Sequence, residues 1–310
     1  MNHNLYAALR AAFPKDLNAT AIETDDGLFY SWSDLERASA MMANLLDSLH
    51  IPKGSRVAVQ VEKSVEAVML YLATLRAGYV FLPLNTAYQS AEIEYFIGNA
   101  EPAVVVCSSK NFGWVSKIAF KAGTQNVFTL DDNRTGSLLE RAAHCSDQHQ
   151  VVQNKADDLA AILYTSGTTG FPKGATLSHH NILNNGFFVA EIMRFTENDR
   201  LVIPVPLYHC FGMVMGNLGC VTHGATMIYP SEGFEPMAVL EAVQREKATG
   251  IFGVPTMFIA ELDLPNFDQY DLTSLRTGIM AGSPCPVEVM KKVQSLGGQM
   301  ATFQKQLRLL

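Results

Sequence analysis

Short apolar runs alternate with segments of helical spacing along nearly all of the 310 residues. No other sequence feature limits the fold as much. Ala19 to Thr24 and Leu28 to Ser31 read as strands around the turn Asp25-Asp26-Gly27. Ser33-x-x-Glu36 reads as a capping box opening a helix through Leu35, Ala38, Met42, Leu45, Leu46 and Leu49. Arg56 to Val61, Tyr79 to Leu84, Ala103 to Cys107 and Asn126 to Leu130 read as strands. Between them Val65 to Leu75, a segment capped by Ser90, Trp114 to Ala122 and Gly136 to Ala143 read as helices. The second half repeats the pattern. Its strands are Leu201 to Val205, Ala225 to Ile228, Gly250 to Gly253 and Thr277 to Met280. Its helices are Met213 to Cys220, Pro236 to Glu246, Pro255 to Leu262 and Val287 to Val293. Strands separated by helices predict mainly parallel sheets covered on both faces, an α/β fold. Ser146 to Asp157 is polar and is the best linker candidate, though not a domain boundary.

Composition narrows the function. Hydrophobic residues make up 48% of the chain, which excludes global disorder. A net charge of −7 argues against a non-specific nucleic-acid binder. Five cysteines, with no C-x-x-C pair, read as reduced thiols and predict a cytoplasmic protein. Met1-Asn2-His3-Asn4 lacks the pattern of a signal peptide, and the apolar run of 65–84 is broken by Glu66 and Arg76. No transmembrane segment is expected.

The densest chemistry lies in Tyr164-Thr165-Ser166-Gly167-Thr168-Thr169-Gly170-Phe171-Pro172-Lys173-Gly174. The apolar run Leu159 to Tyr164 predicts a buried strand leading in, and a helix is expected from Ser178. Glycines let backbone N–H groups converge on one point, hydroxyls add donors, and Lys173 supplies a point charge. This is a phosphate-binding composition. A P-loop needs Gly, four residues, then Gly-Lys-Ser/Thr; here Lys173 lies between Pro172 and Gly174, so that reading fails.

Three other stretches carry signals. His209 sits in Pro206-Leu207-Tyr208-His209-Cys210-Phe211-Gly212, a turn after a strand, where a site residue and a packed aromatic corner are equally supported. Gly212, Met213, Val214, Met215, Gly216 and Gly219 read as close helix packing or as the wall of an apolar tunnel. Gly282-Ser283-Pro284 ends a strand, where α/β sheets bind ligands. His179 and His180 are adjacent on a helix, which points them apart; they are expected to face solvent behind a Ser178 cap. Cys285 has no basic neighbour to make it a nucleophile. No residue is nominated as a metal ligand.

Thr165 to Gly174 resembles the signature Ser/Thr-Ser/Thr-Gly-Thr-Thr-Gly-x-Pro-Lys-Gly of the AMP-forming acyl-CoA synthetases, in the adenylate-forming superfamily. Leu75 to Asn85 and Pro206 to Gly212 resemble two further motifs of that family. The resemblance implies a large N-terminal adenylation domain of two sheet-containing subdomains, helices packed on the sheets. It implies that Thr165, Ser166, Gly167, Thr168, Thr169, Gly170 and Lys173 hold ATP phosphates. It places His209 beside the acyl carboxylate and Gly282, Ser283 and Pro284 along the adenine. Lys173 and His209 are then the catalytic candidates. ATP, Mg2+ and coenzyme A (as a substrate) would be used, with a small carboxylic acid as partner. Residues up to about 170 resemble malonyl-CoA synthetases. Those from about 165 resemble medium-chain fatty acyl-CoA synthetases, and the patterns meet in the shared loop. For malonate, only His209 and Arg276 offer a cation for the far carboxylate. The family's later Tyr-Gly-x-Thr-Glu and Thr-Gly-Asp motifs, hinge and lysine-bearing C-terminal domain do not occur here. The resemblance therefore implies a truncated chain: an incomplete adenylation domain over 1–296, an aberrant tail over 297–310, and the C-terminal domain missing. It also allows an inactive nucleotide-binding remnant, or half of a split enzyme with a complementing C-terminal polypeptide.

Overall fold

The structure, a computed structural model, describes residues 2–165, 172–295 and, as backbone, 302–305. In chain order the first elements are α1 (Leu5–Ala11), β1 (Thr20–Thr24), β2 (Phe29–Ser31), α2 (Trp32–Ser48), β3 (Arg56–Gln60), α3 (Val65–Arg76) and β4 (Val80–Pro83). Next come α4 (Ser90–Ala100), β5 (Val104–Cys107), α5 (Phe112–Lys121), β6 (Asn126–Thr129), α6 (Ser137–Ala142), β7 (Leu159–Thr165), β8 (Lys173–Ser178) and α7 (His179–Met193). The chain continues with β9 (Arg200–Val202), a π-helix (Phe211–Leu218), the short α8 (Gly219–Val221), β10 (Thr226–Tyr229) and α9 (Pro236–Glu246). It ends with β11 (Gly250–Gly253), α10 (Pro255–Leu262), a 3-10 turn (Phe267–Gln269), β12 (Thr277–Met280), α11 (Val287–Gln294) and β13 (Thr302–Lys305).

The chain forms two compact units. The first comprises Met1–Ala11 and Ser33–Leu183, the second Ala12–Trp32 and Asn184–Leu310. The first unit's sheet has the order β6-β5-β3-β4-β7-β8, parallel except for the antiparallel pair β7 and β8. Ala58, Leu82, Val105 and Cys107 on one face pack against Ile93, Phe96 and Ile97 of α4 and Val115 and Ala119 of α5. The second unit's sheet has the order β13-β12-β11-β9-β10-β1-β2, parallel except for the hairpin of β1 and β2. Val202, Ile228, Ile251 and Met280 pack there on Val239, Leu240 and Val243 of α9 and on Phe258 of α10. Parallel strands are hydrophobic on both faces because helices cover both, which is why the alternation was legible.

Some expectations shift. The helix meant to begin at Ser33 starts at Trp32, so Ser33 lies in its first turn. Gln89 precedes α4, and its N–H donates to the Glu92 carboxylate at 2.9 Å, so Ser90 is the first helical residue and not the cap. Residues 146–157 are no loose linker. Asn44 Nδ2 donates to the Ser146 and Gln148 carbonyls at 2.8 and 2.9 Å. Arg76 donates to the His149 carbonyl at 2.6 Å, and the Val152 N–H returns a bond to the Arg76 carbonyl. These polar residues are a strap tied to the first unit.

Candidate functional site

The two described ends of the Tyr164–Gly174 string, Thr165 and Lys173, belong to a hairpin. β7 and β8 pair antiparallel, with Thr165 opposite Lys173 and Tyr164 opposite Gly174. The expected strand–loop–helix layout is therefore corrected to strand–loop–strand, with α7 starting only at His179. The Thr, Leu and Ser of 176–178 extend as an edge strand, and the Ser178 hydroxyl then caps α7 by accepting the Asn181 N–H at 3.2 Å. β7 is also less buried than its apolar run implied: Ala160 and Ala161 are buried, but Leu159 is exposed. It lies next to the last strand of the sheet and so is covered on fewer sides.

Aromatic packing fixes the hairpin's base. Tyr164 meets Phe96 at 4.4 Å between ring centroids and lies edge-on to Tyr95 at 6.3 Å. The Tyr95 hydroxyl donates to the Pro172 carbonyl at 2.8 Å, and the Tyr164 hydroxyl bonds Asn99 at 2.6 Å. Lys173 is exposed, and among the described residues it makes no ion pair. Ser166, Gly167, Thr168, Thr169 and Gly170 lie outside the described residues.

In the second unit the remaining candidates gather at the carboxyl ends of three successive strands: β9, β11 and β12. His209 follows β9, Val254 follows β11, and Gly282 follows β12. Gly282 has φ +95°, and a Cβ there would stand 3.1 Å from the Val254 methyl. Glycine is needed for the left-handed turn and the close approach. Ser283 and Pro284 continue this exposed turn into α11.

His209 Nδ1 accepts the Phe211 N–H at 3.1 Å. That bond requires an unprotonated Nδ1, so the neutral ring carries its proton on Nε2. Desolvation of the ring lowers its pKa in the same sense. The residue is exposed overall, so it can offer one N–H donor to an anion. The His209 carbonyl accepts the Gly212 and Met213 N–H groups at 3.1 Å, joining the turn to the π-helix.

Three sequence readings are corrected in this unit and its neighbour. Arg276 is not available for a second carboxylate. Its Nε and Nη2 hold the Asp199 carboxylate at 2.9 and 2.6 Å, and its remaining donors reach the Met193 and Arg194 carbonyls. It also precedes β12, at the end of the sheet opposite to His209 and Gly282. Gly212 and Gly216 do not leave open volume. A Cβ on Gly212 would lie 2.3 Å from the Pro206 carbonyl oxygen, and one on Gly216 would lie 3.2 Å from Ile203. At these two glycines the space is filled by close packing. His179 does not face solvent: it is 1% exposed and its Nδ1 accepts the Leu5 N–H at 3.0 Å. Burial pushes its pKa down to about 4. His180 is exposed as expected.

All five cysteines are free, and the Cys285 thiol donates to the Met280 carbonyl at 3.3 Å. Among the described residues, no group of three His, Cys, Asp or Glu side chains is placed to hold a metal ion. Among the same residues no helix is long and apolar enough to cross a membrane.

The sequence profile of AMP-binding enzymes matches residues 9–305. The chain belongs to the AMP-binding enzyme family. Its relatives include the mitochondrial medium-chain acyl-CoA ligase ACSF2 of Danio rerio, 36% identical over 86% of this chain and 48% of that protein. The acyl-CoA ligase SID4 of Ajellomyces capsulatus is 33% identical over 85% of this chain and 48% of its own length. The chain spans about half the length of these curated relatives. Among solved structures, apo MatB from Rhodopseudomonas palustris superposes with a TM-score of 0.91 at 37% identity, covering 99% of this chain and 60% of MatB. MatB has also been solved with ATP bound. The N-terminal domain of FACL13 from Mycobacterium tuberculosis shares the fold, with a TM-score of 0.87 at 23% identity over 99% of this chain and 76% of that one.

For an AMP-binding enzyme, the motif reading missed two buried polar features. Asn217 lies fully buried in the π-helix and accepts the Tyr229 hydroxyl at 2.8 Å. A lone Asn in the apolar run Phe211 to Val221 was the available signal. Glu261, on α10, is 4% exposed with its pKa raised by burial to about 8. Its position three residues after Phe258, on the buried face, was the signal there.

Proposed function

We propose that this chain is the carboxylate-activating part of an AMP-forming acyl-CoA ligase. In the first step a carboxylate oxygen attacks the α-phosphorus of ATP; a C–O–P bond forms and pyrophosphate leaves. In the second step the coenzyme A thiolate attacks the acyl carbon and AMP leaves. The observation that carries this reading is the family match together with His209 and Gly282 at the carboxyl ends of two parallel strands, β9 and β12, that flank β11.

The residues present fit a nucleotide. An exposed glycine turn with φ +95° can lie flat against adenine, with Ser283 and Pro284 beside it. Lys173 and Thr165 flank the loop assigned to the β- and γ-phosphates, through Ser166, Gly167, Thr168, Thr169 and Gly170. The His209 Nε2–H would donate to the acyl carboxylate. No base is needed, because a carboxylic acid is already ionised at neutral pH. Mg2+ would enter with the nucleotide phosphates; the described side chains offer it no cluster, and no step is routed through it. Residues 1–296 would serve as the adenylation unit.

A fatty acid is the preferred substrate class. Arg276 is spent on Asp199, so malonate would lack the guanidinium that its second carboxylate needs. The ACSF2 relatives, described as medium-chain acyl-CoA ligases, support the same choice. Malonate stays as the alternative through the malonyl-CoA synthetase resemblance of the first half.

ATP–pyrophosphate exchange on the purified chain, with octanoate and with malonate, tests the proposal. Octanoate-dependent exchange is expected. A folded chain that binds ATP but exchanges with neither acid would overturn it, and would favour a nucleotide-binding unit completed by another polypeptide.

A further inference from the structure

The π-helix Phe211–Leu218 begins two residues after His209 and runs for eight residues. π-helices are rare, are mostly single turns, and collect at functional sites, because i→i+5 pairing is less favourable than the α-helical pattern. A π segment of this length needs something outside its own backbone to hold the register. Two kinds of contact do so here. Glycines let neighbouring groups press on it: Gly212 against the Pro206 carbonyl, Gly216 against Ile203, and Gly186 of α7 against the Val214 carbonyl and Leu218. These contacts hold the helix in place but are apolar or steric, and tolerate small rotations. The directional contact is Asn217. Its side chain is fully buried; its Oδ1 accepts the Tyr229 hydroxyl at 2.8 Å and its Nδ2 lies 3.5 Å from the Met213 sulfur. Tyr229 is the last residue of β10 and is itself buried.

We infer that the Asn217–Tyr229 hydrogen bond is the positioning element that holds segment 211–218 in its π register, and that through this register it sets which side chain meets the acyl group beside His209. Of the eight residues only Met215 is not fully buried. A return to α-helical pairing would rotate the residues after His209 about the helix axis and would bury Met215 or replace it. Asn217 would leave Tyr229, breaking a buried hydrogen bond. The register is thus coupled to a bond whose loss is costly. Met215 is the residue whose exposure depends on it, and an unbranched thioether adapts well to an aliphatic chain. The role in acid selection rests on the acyl-activation reading; the register role does not.

Tyr229→Phe removes the hydroxyl with little change of shape. Hydrogen exchange of the amides of 213–218 should accelerate about tenfold, as expected for one lost buried hydrogen bond. In ATP–pyrophosphate exchange the KM for octanoate should rise by a similar factor, with kcat and the KM for ATP within about twofold. The double variant Tyr229→Phe/Asn217→Leu removes both polar ends of this hydrogen bond and should regain most of the parent melting temperature. Its octanoate KM should stay raised, since the tether is still missing. Unchanged hydrogen exchange in Tyr229→Phe would overturn the inference. So would a double variant that regains both the parent stability and the parent acid preference, because the pair would then be structural only. If the parent chain shows no carboxylate-dependent exchange, the functional reading falls, and hydrogen exchange at 213–218 still decides the tether.

Discussion

Two basic residues that look alike in the sequence sit in opposite settings. Lys173 stands exposed at the mouth of the hairpin loop, and Arg276 is tied to a buried carboxylate. Lys173→Ala should leave the melting temperature nearly unchanged, since surface substitutions fall within about 0.5 kcal/mol. It should lower ATP–pyrophosphate exchange by about 10²-fold or more if the ammonium stabilises the transferring phosphates. A full-rate Lys173→Ala variant would remove the residue from the site. Arg276→Gln should do the reverse. Asp199 is 5% exposed, and losing its cation should destabilise the chain. The guanidinium is 37% exposed. Solvent screening therefore reduces the usual buried-pair cost, to about 1–3 kcal/mol. The ratio of octanoate to malonate activity should not move, and a shift in that ratio would restore Arg276 as a substrate contact. The sequence showed that both were cations; it could not show that Arg276 had a partner 77 residues away.

At the level of elements, turns carry the candidate residues and strands place them. Gly282 closes β12 with a positive φ and presses on Val254. Gly282→Ala should cost about 1–2 kcal/mol from the left-handed backbone alone, before the 3.1 Å contact is counted. Thermal melts would read this as a lowered midpoint. An unchanged midpoint would mean that the turn relaxes freely and is a poor edge for adenine. Most strands and helices here were legible because hydrophobic period is a local property. Pro236–Glu246 and Pro255–Leu262 matched their expected bounds, since each starts at a proline and is apolar on one face. The hairpin was missed for a matching reason. Residues 173–178 have no strong period of their own, and only pairing with β7 makes them a strand. The π register was equally invisible, because its apolar run fits an α-helix as well.

At the scale of the whole molecule, His179 in one unit and Glu261 in the other are buried groups that titrate against their burial, and the two act in opposite directions. His179, in the first unit, has a folded pKa near 4 against an ordinary 6.5. Between those values the unfolded chain binds more protons, so the first unit loses stability as pH falls from about 6.5 to 4. Glu261, in the second unit, has a folded pKa near 8 against an ordinary 4.5. Here the folded chain holds the extra proton. The stabilisation is complete below about 4.5 and is lost as pH rises through 8. Urea titrations at pH 5 and pH 8 check both trends. Glu261→Gln should stabilise the chain more at pH 8 than at pH 5, by on the order of 2–3 kcal/mol. His179→Gln should flatten the loss at the acid end. Equal effects at both pH values would mean that neither group stays buried in solution.

Local sequence specified the α/β class, most of the strands and helices, and the turns that hold the candidate residues. It did so because periodicity, capping and turn chemistry are written within a few residues of one another. Strand pairing was set by the fold as a whole. β1 lies beside β10 with Ile22 opposite Met227, across a separation that no local pattern encodes. The fold also decided that Arg276 is neutralised, that His179 is buried, that Thr165 and Lys173 face each other across a hairpin, and that Asn217 finds Tyr229. Each of these depends on a contact between distant segments, and a side chain's charge, exposure and use are fixed by the neighbours that folding brings to it.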